Sequence, residues 1–147
     1  MNTKNIVLSL FTCFIMSCSS TKKTNVVSQD NSITEKYWKL ISLEGRTVVM
    51  KDNQEREIFF TLKTKDNRIT GFTGCNDISG EYTLEASNRI QFKNVVTTMR
   101  YCTDLAVNES KVLKVFTLAD NYTIKDDVLS LNVGRRAPLA VFEAVYF

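Results

Sequence analysis

The sequence predicts a mainly β, α+β domain: an antiparallel, partly open barrel-like sheet of about eight strands carrying one amphipathic helix. Three observations predict it. Apolar residues alternate with polar ones through most of the chain from Tyr37 onward, the period of a half-buried strand. Short clusters rich in Gly, Asn and Asp punctuate that alternation, as tight turns require. A single segment, near residues 105–119, changes to helical spacing.

In chain order, Tyr37-Trp38-Lys39-Leu40-Ile41 opens the sheet and Glu44-Gly45 turns it. Ile58, Phe60 and Leu62 share one strand face, with Phe59, Thr61 and Lys63 opposite. Asp66-Asn67 turns into Arg68-Ile69-Thr70-Gly71-Phe72-Thr73. Gly80–Leu84 and Ile90–Thr98 then pair as a hairpin around Ala86-Ser87-Asn88. Leu105, Val112, Val115, Phe116 and Ala119 recur at helical spacing. Asn108 is the predicted N-cap, and Glu109 complements the helix dipole. Tyr122–Ile124, Val128–Leu131 and Leu139–Phe147 complete the sheet, with Gly134–Pro138 as a loop. The last strand is apolar on both faces, which predicts a central place rather than an edge. Polar residues interrupt both faces of several strands, as in Arg89–Thr98, so a membrane-spanning barrel with a continuous lipid-facing row is not expected.

The N-terminal segment has a different logic. Lys4 precedes an apolar run from Ile6 to Met16, too short for a membrane-spanning helix and laid out like an export signal. It ends in Ile15-Met16-Ser17-Cys18, which resembles the bacterial lipobox, whose Cys is acylated. Residues 1–17 are thus expected to be a lipoprotein signal peptide and Cys18 the lipid attachment site; an ordinary cleaved signal with an incidental Cys is the alternative. Cys13 is a weaker acceptor, because Thr12 precedes it. Several acyl chains on one Cys give lasting attachment. Ser19 follows where the sorting pattern of enteric lipoproteins has Asp for inner-membrane retention, so the expected location is the bacterial cell envelope at the outer membrane. Residues 18–34 are polar apart from Val26, Val27 and Ile33 and predict a flexible tether spanning roughly 20–25 Å. The folded domain is expected over residues 35–147, with no internal boundary.

Composition excludes much chemistry. The chain has no histidine, so Ser-His and Cys-His nucleophile pairs, His metal ligands and an imidazole switch are all out of reach. No phosphate-binding glycine loop and no nucleophile elbow occurs. Glu57, Glu81, Glu85, Glu109 and Glu143 leave carboxylate-pair catalysis as a formal option, but their spacing brings no two together. Loss of the signal removes only Lys4 among charged residues, leaving 18 basic against 16 acidic. That balance, without a basic aromatic stripe, argues against a nucleic-acid partner. The expectation is a non-enzymatic protein with no cofactor and no metal.

With Cys13 lost and Cys18 acylated, Cys75 and Cys102 remain. In an oxidising compartment a disulfide is expected; two buried free thiols packed as small hydrophobes are the alternative.

Gly71-Phe72-Thr73-Gly74-Cys75-Asn76 followed by Gly80-Glu81-Tyr82, Thr98-Met99-Arg100-Tyr101-Cys102, Glu109 at a helix start and Trp38-Lys39-Leu40 together resemble a META domain of the HslJ type. The resemblance covers roughly Tyr37 to Phe147. It rests on Trp38, Gly74, Cys75, Asn76, Gly80, Tyr82, Thr98, Cys102 and Glu109. Two positions depart from the pattern. Asp77 stands where the family often has a basic residue, and Arg100-Tyr101 where Met-Ala commonly precedes the second Cys. The resemblance implies a small antiparallel barrel-like fold with a helix, found on envelope lipoproteins and linked to heat shock and antibiotic tolerance. Locally, the glycines suit close approach or positive φ, and Asn76 and Asp77 suit a hydrogen-bonded turn.

Two functions follow as expectations. The first is an envelope lipoprotein that supports envelope integrity under stress through contacts with a protein partner. The second is a carrier of a lipid or small hydrophobe, with Phe59, Phe60, Phe72, Phe92 and Phe142 lining a barrel pocket rather than filling a core.

Overall fold

The computed structural model describes residues 31–52, 54–103 and 105–147. The signal peptide, Cys18 and most of the predicted tether lie outside the described residues. Among the described residues nine strands and one α-helix follow in order: β1 (Tyr37–Leu43), β2 (Arg46–Thr47), β3 (Phe59–Lys63), β4 (Arg68–Phe72), β5 (Asp77–Glu85), β6 (Arg89–Thr97), α1 (Glu109–Leu118), β7 (Asn121–Lys125), β8 (Val128–Asn132) and β9 (Ala140–Val145). Each predicted strand is present. The two-residue β2, which pairs only with the end of β1, was not foreseen.

The other eight strands form an antiparallel barrel. Sequential neighbours pair from β3 to β9, and β1 joins β3 to β9 and so closes the circuit. β9 therefore has a partner on each side, as its two apolar faces required. Residues with positive φ make the turns: Glu44-Gly45, Asp66-Asn67, Ser87-Asn88 and Asp126-Asp127. The two-residue Asp126-Asp127 loop, with both residues left-handed, matches the strand twist of a tight hairpin. The partial opening that the sequence suggested survives at one seam. Among the described residues β6 pairs with β7 only at Arg89↔Asn121.

Alternation puts Trp38, Leu40, Phe60, Leu62, Ile69, Leu129, Leu131 and Phe142 inside. Phe60 is the hub of the interior. Its ring meets Phe142 at 4.9 Å and Phe116 at 5.6 Å edge to face, and Phe92 lies 5.1 Å from Phe116. Each such pair adds ~0.5–1.5 kcal/mol beyond area burial. Of the five phenylalanines considered for a pocket, Phe60, Phe72 and Phe142 are buried, and Phe92 packs against the same core. Phe59 points outward and stacks on Tyr37 at 4.2 Å.

α1 begins where expected. Asn108 caps it, its Oδ1 accepting from the Ser110 amide at 2.9 Å. Val112, Val115 and Phe116 turn inward, and Phe116 carries the helix against Phe92 of β6, over the weak seam. Leu105, assigned to the helical periodicity, lies before the helix; the cap at Asn108 stops the turn from extending backward.

The domain begins earlier than residue 35: Ile33, within the expected tether, is a core residue, and its carbonyl accepts the Trp38 indole N–H at 2.8 Å. Glu35 extends this anchor, its carboxylate accepting from the Thr64 amide and hydroxyl at 2.6 and 2.9 Å. A buried indole N–H needs an acceptor, and the residues before β1 supply it.

Candidate functional site

The motif residues gather where the β4–β5 connection meets the segment between β6 and α1. Gly74 begins the turn at φ +103°, a conformation that a side chain resists, and an added Cβ would stand 3.3 Å from Ile58. Cys75 and Cys102 form a disulfide with Cα atoms 5.8 Å apart. Gly80 lies under a bulge of β6, where an added Cβ would approach the Lys93 carbonyl oxygen and the Val95 Cα to 3.0 Å.

Asn76 is the centre of this cluster. Its amide makes every hydrogen bond open to it. Oδ1 accepts from the Arg100 backbone N–H at 2.7 Å and the Thr98 hydroxyl at 2.8 Å. Nδ2 donates to the Arg100 carbonyl at 3.2 Å and to Glu109 Oε2 at 3.0 Å. Two donors and two acceptor positions are thus satisfied. One side chain grips Arg100 by both its N–H and C=O, as a strand partner would. Thr98 repeats the device, its hydroxyl accepting from the Asp77 amide at 3.2 Å.

Glu109 opens α1 but does more than complement the dipole. Its carboxylate reaches back to accept the Asn76 amide at 3.2 Å and also the hydroxyl of Thr73. Thr73 is fully buried, and its own amide donates to the Asn76 carbonyl at 2.9 Å. Turn, loop and helix start therefore share one polar knot. Trp38 and Tyr82 lie elsewhere in the fold; Tyr82 is buried, which raises its phenol pKa, and its hydroxyl donates to the Lys63 carbonyl at 3.2 Å.

A charged layer covers the knot on the outside. The Arg56 guanidinium lies 4.3 Å from the centre of the Phe72 ring and pairs with Asp77. Arg100 stands 5.8 Å from the same ring and reaches Asp77 at 3.9 Å and Glu55 at 3.4 Å. These groups bury Phe72 although it points out of the barrel. Met99 and Tyr101, on either side of the clamped Arg100, are 99% and 91% exposed.

Sequence reasoning missed Thr73, Arg56 and Glu55. Thr73 stands three residues before Asn76, the spacing of a side-chain-closed turn, which was a usable signal. Arg56 and Glu55 lie in a loop without a pattern of their own and reach the cluster only through the fold.

The architecture is a closed eight-stranded antiparallel barrel whose β4–β5 turn is bridged to the approach of its one helix. A family profile described as META domain matches residues 31–146, and the chain belongs to that family. Two solved structures share its fold. An NMR structure of a protein from Burkholderia xenovorans superposes with a TM-score of 0.61 at 20% identity, covering 77% of this chain and 83% of that one. A second NMR structure gives 0.57 at 20% identity, covering 76% and 90%. No curated protein matches the sequence.

Proposed function

We propose that this META-domain protein is a non-enzymatic lipoprotein of the bacterial outer membrane, held by Cys18, that supports envelope integrity under stress by contacting another protein. The observation that carries the reading is the contrast within Thr98–Cys102. Asn76 and the disulfide hold its backbone, while Met99 and Tyr101 stand free in solvent. Exposed apolar side chains on a fixed backbone suit recognition, because the backbone share of the ordering cost is met before the partner arrives. The motif carboxylate of Glu109 is engaged by Thr73 and Asn76, which fits a structural role better than acid–base work. The interlocked rings of Phe60, Phe116 and Phe142 favour protein contact over carriage of a hydrophobe inside the barrel.

The test places a photo-crosslinking residue at 99 or 101 in cells, with position 65 on the far turn as control. A discrete adduct at 99 and 101, absent at 65, supports the reading; no adduct, or the same adducts from every position, overturns it. Cys18→Ala should release the protein from membranes, and its persistence there after a salt wash would refute the anchor.

A further inference from the structure

The seam between β6 and β7 leaves part of β6 without a strand partner, beside the helix that packs on it. The Ile90 amide donates to the Asp120 carbonyl at 3.2 Å and the Tyr122 amide to the Asn88 carbonyl at 3.0 Å, and the β6–β7 pairing goes no further along β6. α1 causes this: the chain enters β7 directly from the helix end, so β7 meets β6 only at its first residue. Alternation along the strand points the Phe92 N–H and C=O to the same side as those of Ile90, with no strand opposite.

A groove of about 300 Å³ follows this edge, between β6 and the last turn of α1. Ile90, Phe92 and Phe116 lie at its base, and polar groups, Glu85, Arg89 and Asp120 among them, make up most of its surface. The charged lining of the groove is two acids, Glu85 and Asp120, against one base, Arg89. The last turn of α1 has no basic residue, so its carbonyl end is not neutralised from within the helix. Asp120 follows that end directly, and Arg89 is already paired with it at 3.7 Å. Glu85 adds a further negative charge. The edge is short, since Asn94, at φ 52°, bulges β6 away beyond Lys93.

We propose that this groove docks an extended peptide segment, which adds as a short strand beside Ile90–Lys93, pairing with the Ile90 C=O and the Phe92 N–H and C=O, and places a Lys or Arg side chain at the carbonyl end of α1. Open backbone groups would supply pairing, and the carbonyl end of α1 together with Glu85 would select the basic side chain, the Asp120 carboxylate being held already by Arg89, Asn121 and the Gly134 amide. The site is distinct from the Met99–Tyr101 loop and does not rest on the envelope assignment.

The test titrates the full 147-residue chain, isotope-labelled in detergent micelles, with acetyl-Thr-Val-Lys-Val-Thr-amide. The same peptide with Glu for Lys, and one with alternate amides N-methylated, are the comparisons. Amide shifts confined to Ile90–Lys93 and Leu118–Asp120 are expected with the Lys peptide, with affinity about fivefold weaker for the Glu peptide and lost on N-methylation. Thr117→Lys, an exposed change that supplies the missing cation without touching the core, should weaken the Lys peptide severalfold while leaving the fold intact. The proposal is overturned by the absence of shifts at about 1 mM peptide, by equal binding of the N-methylated peptide, by indifference to Thr117→Lys, or by shifts centred on Met99–Tyr101.

Discussion

Asp77 and Arg100, the two charged positions at which this chain departs from the META pattern, face one another, with Arg100 Nη2 3.9 Å from Asp77 Oδ2. Asp77 is also paired with Arg56, so the Arg100 contact is the longer of its two ion pairs. Two departures that look unrelated in sequence are one contact in space. Both side chains are about half exposed, so solvent screens the pair. A double-mutant cycle of Asp77→Ala and Arg100→Met, followed by urea unfolding, should give a coupling of ~0.5–1 kcal/mol. A coupling indistinguishable from zero would make the two departures independent.

Asn76→Ala removes four hydrogen bonds at once and leaves Arg100 and Glu109 with unmet groups in a buried knot. The expected loss is about 2–4 kcal/mol in urea unfolding. Asn76→Asp should cost at least as much, because it turns an acceptor toward the Glu109 carboxylate and the Arg100 carbonyl. A loss below about 1 kcal/mol would show that Asn76 serves something other than the fold.

The Cys75–Cys102 bridge closes a loop with a sequence separation of 27, worth about 3.5 kcal/mol in the chain-entropy picture. The double variant Cys75→Ser, Cys102→Ser should remain folded, since Asn76 still clamps Arg100. It should melt roughly 10 °C or more lower by scanning calorimetry. Met99 and Tyr101 should gain mobility in the same variant, read from their amide relaxation.

Stability should fall at both extremes of pH. The Tyr146 hydroxyl, joined by Lys36, holds Asp127 below the usual carboxylate value of 3.8. That contribution is present above 3.8 and is lost as pH falls through the lower folded value. At the alkaline end, burial and the nearby charge of Glu57 push Tyr37 from 10.0 up to about 12. Burial pulls Lys36 down, but hydrogen bonds to Tyr146 and Asp127 outweigh it and leave Lys36 raised. Both groups stabilise the fold below their ordinary values and cease to do so as pH rises past the folded ones. Melting temperatures should therefore hold a plateau across neutral pH, with ionisation of Tyr37, read as the absorbance lost in Tyr37→Phe, rising together with alkaline unfolding. Ionisation of Tyr37 near 10 without loss of structure would contradict this.

The strands were legible because burial of one face writes a period of two directly into the sequence, as Ile58, Phe60 and Leu62 show. Asn108 was legible as a cap because capping is a local hydrogen bond. Ile33 was misread because one apolar residue in a polar stretch carries no periodicity; only the Trp38 indole, needing an acceptor, reveals its place. Gly74, Cys75, Asn76, Thr98, Cys102 and Glu109 could be picked out as a set without showing why they belong together.

By itself the sequence determined what depends on near neighbours along the chain: strand periodicity, turn residues, the capped helix start and the absence of histidine chemistry. Only the tertiary structure decided that β9 meets β1, that Asn76 grips Arg100 across 24 residues, and that part of β6 lacks a strand partner. Local preferences are set by a residue and its sequence neighbours, whereas barrel closure and buried polar knots depend on groups far apart in the chain. Their partners are chosen by geometry and by the cost of leaving a buried donor or acceptor unpaired.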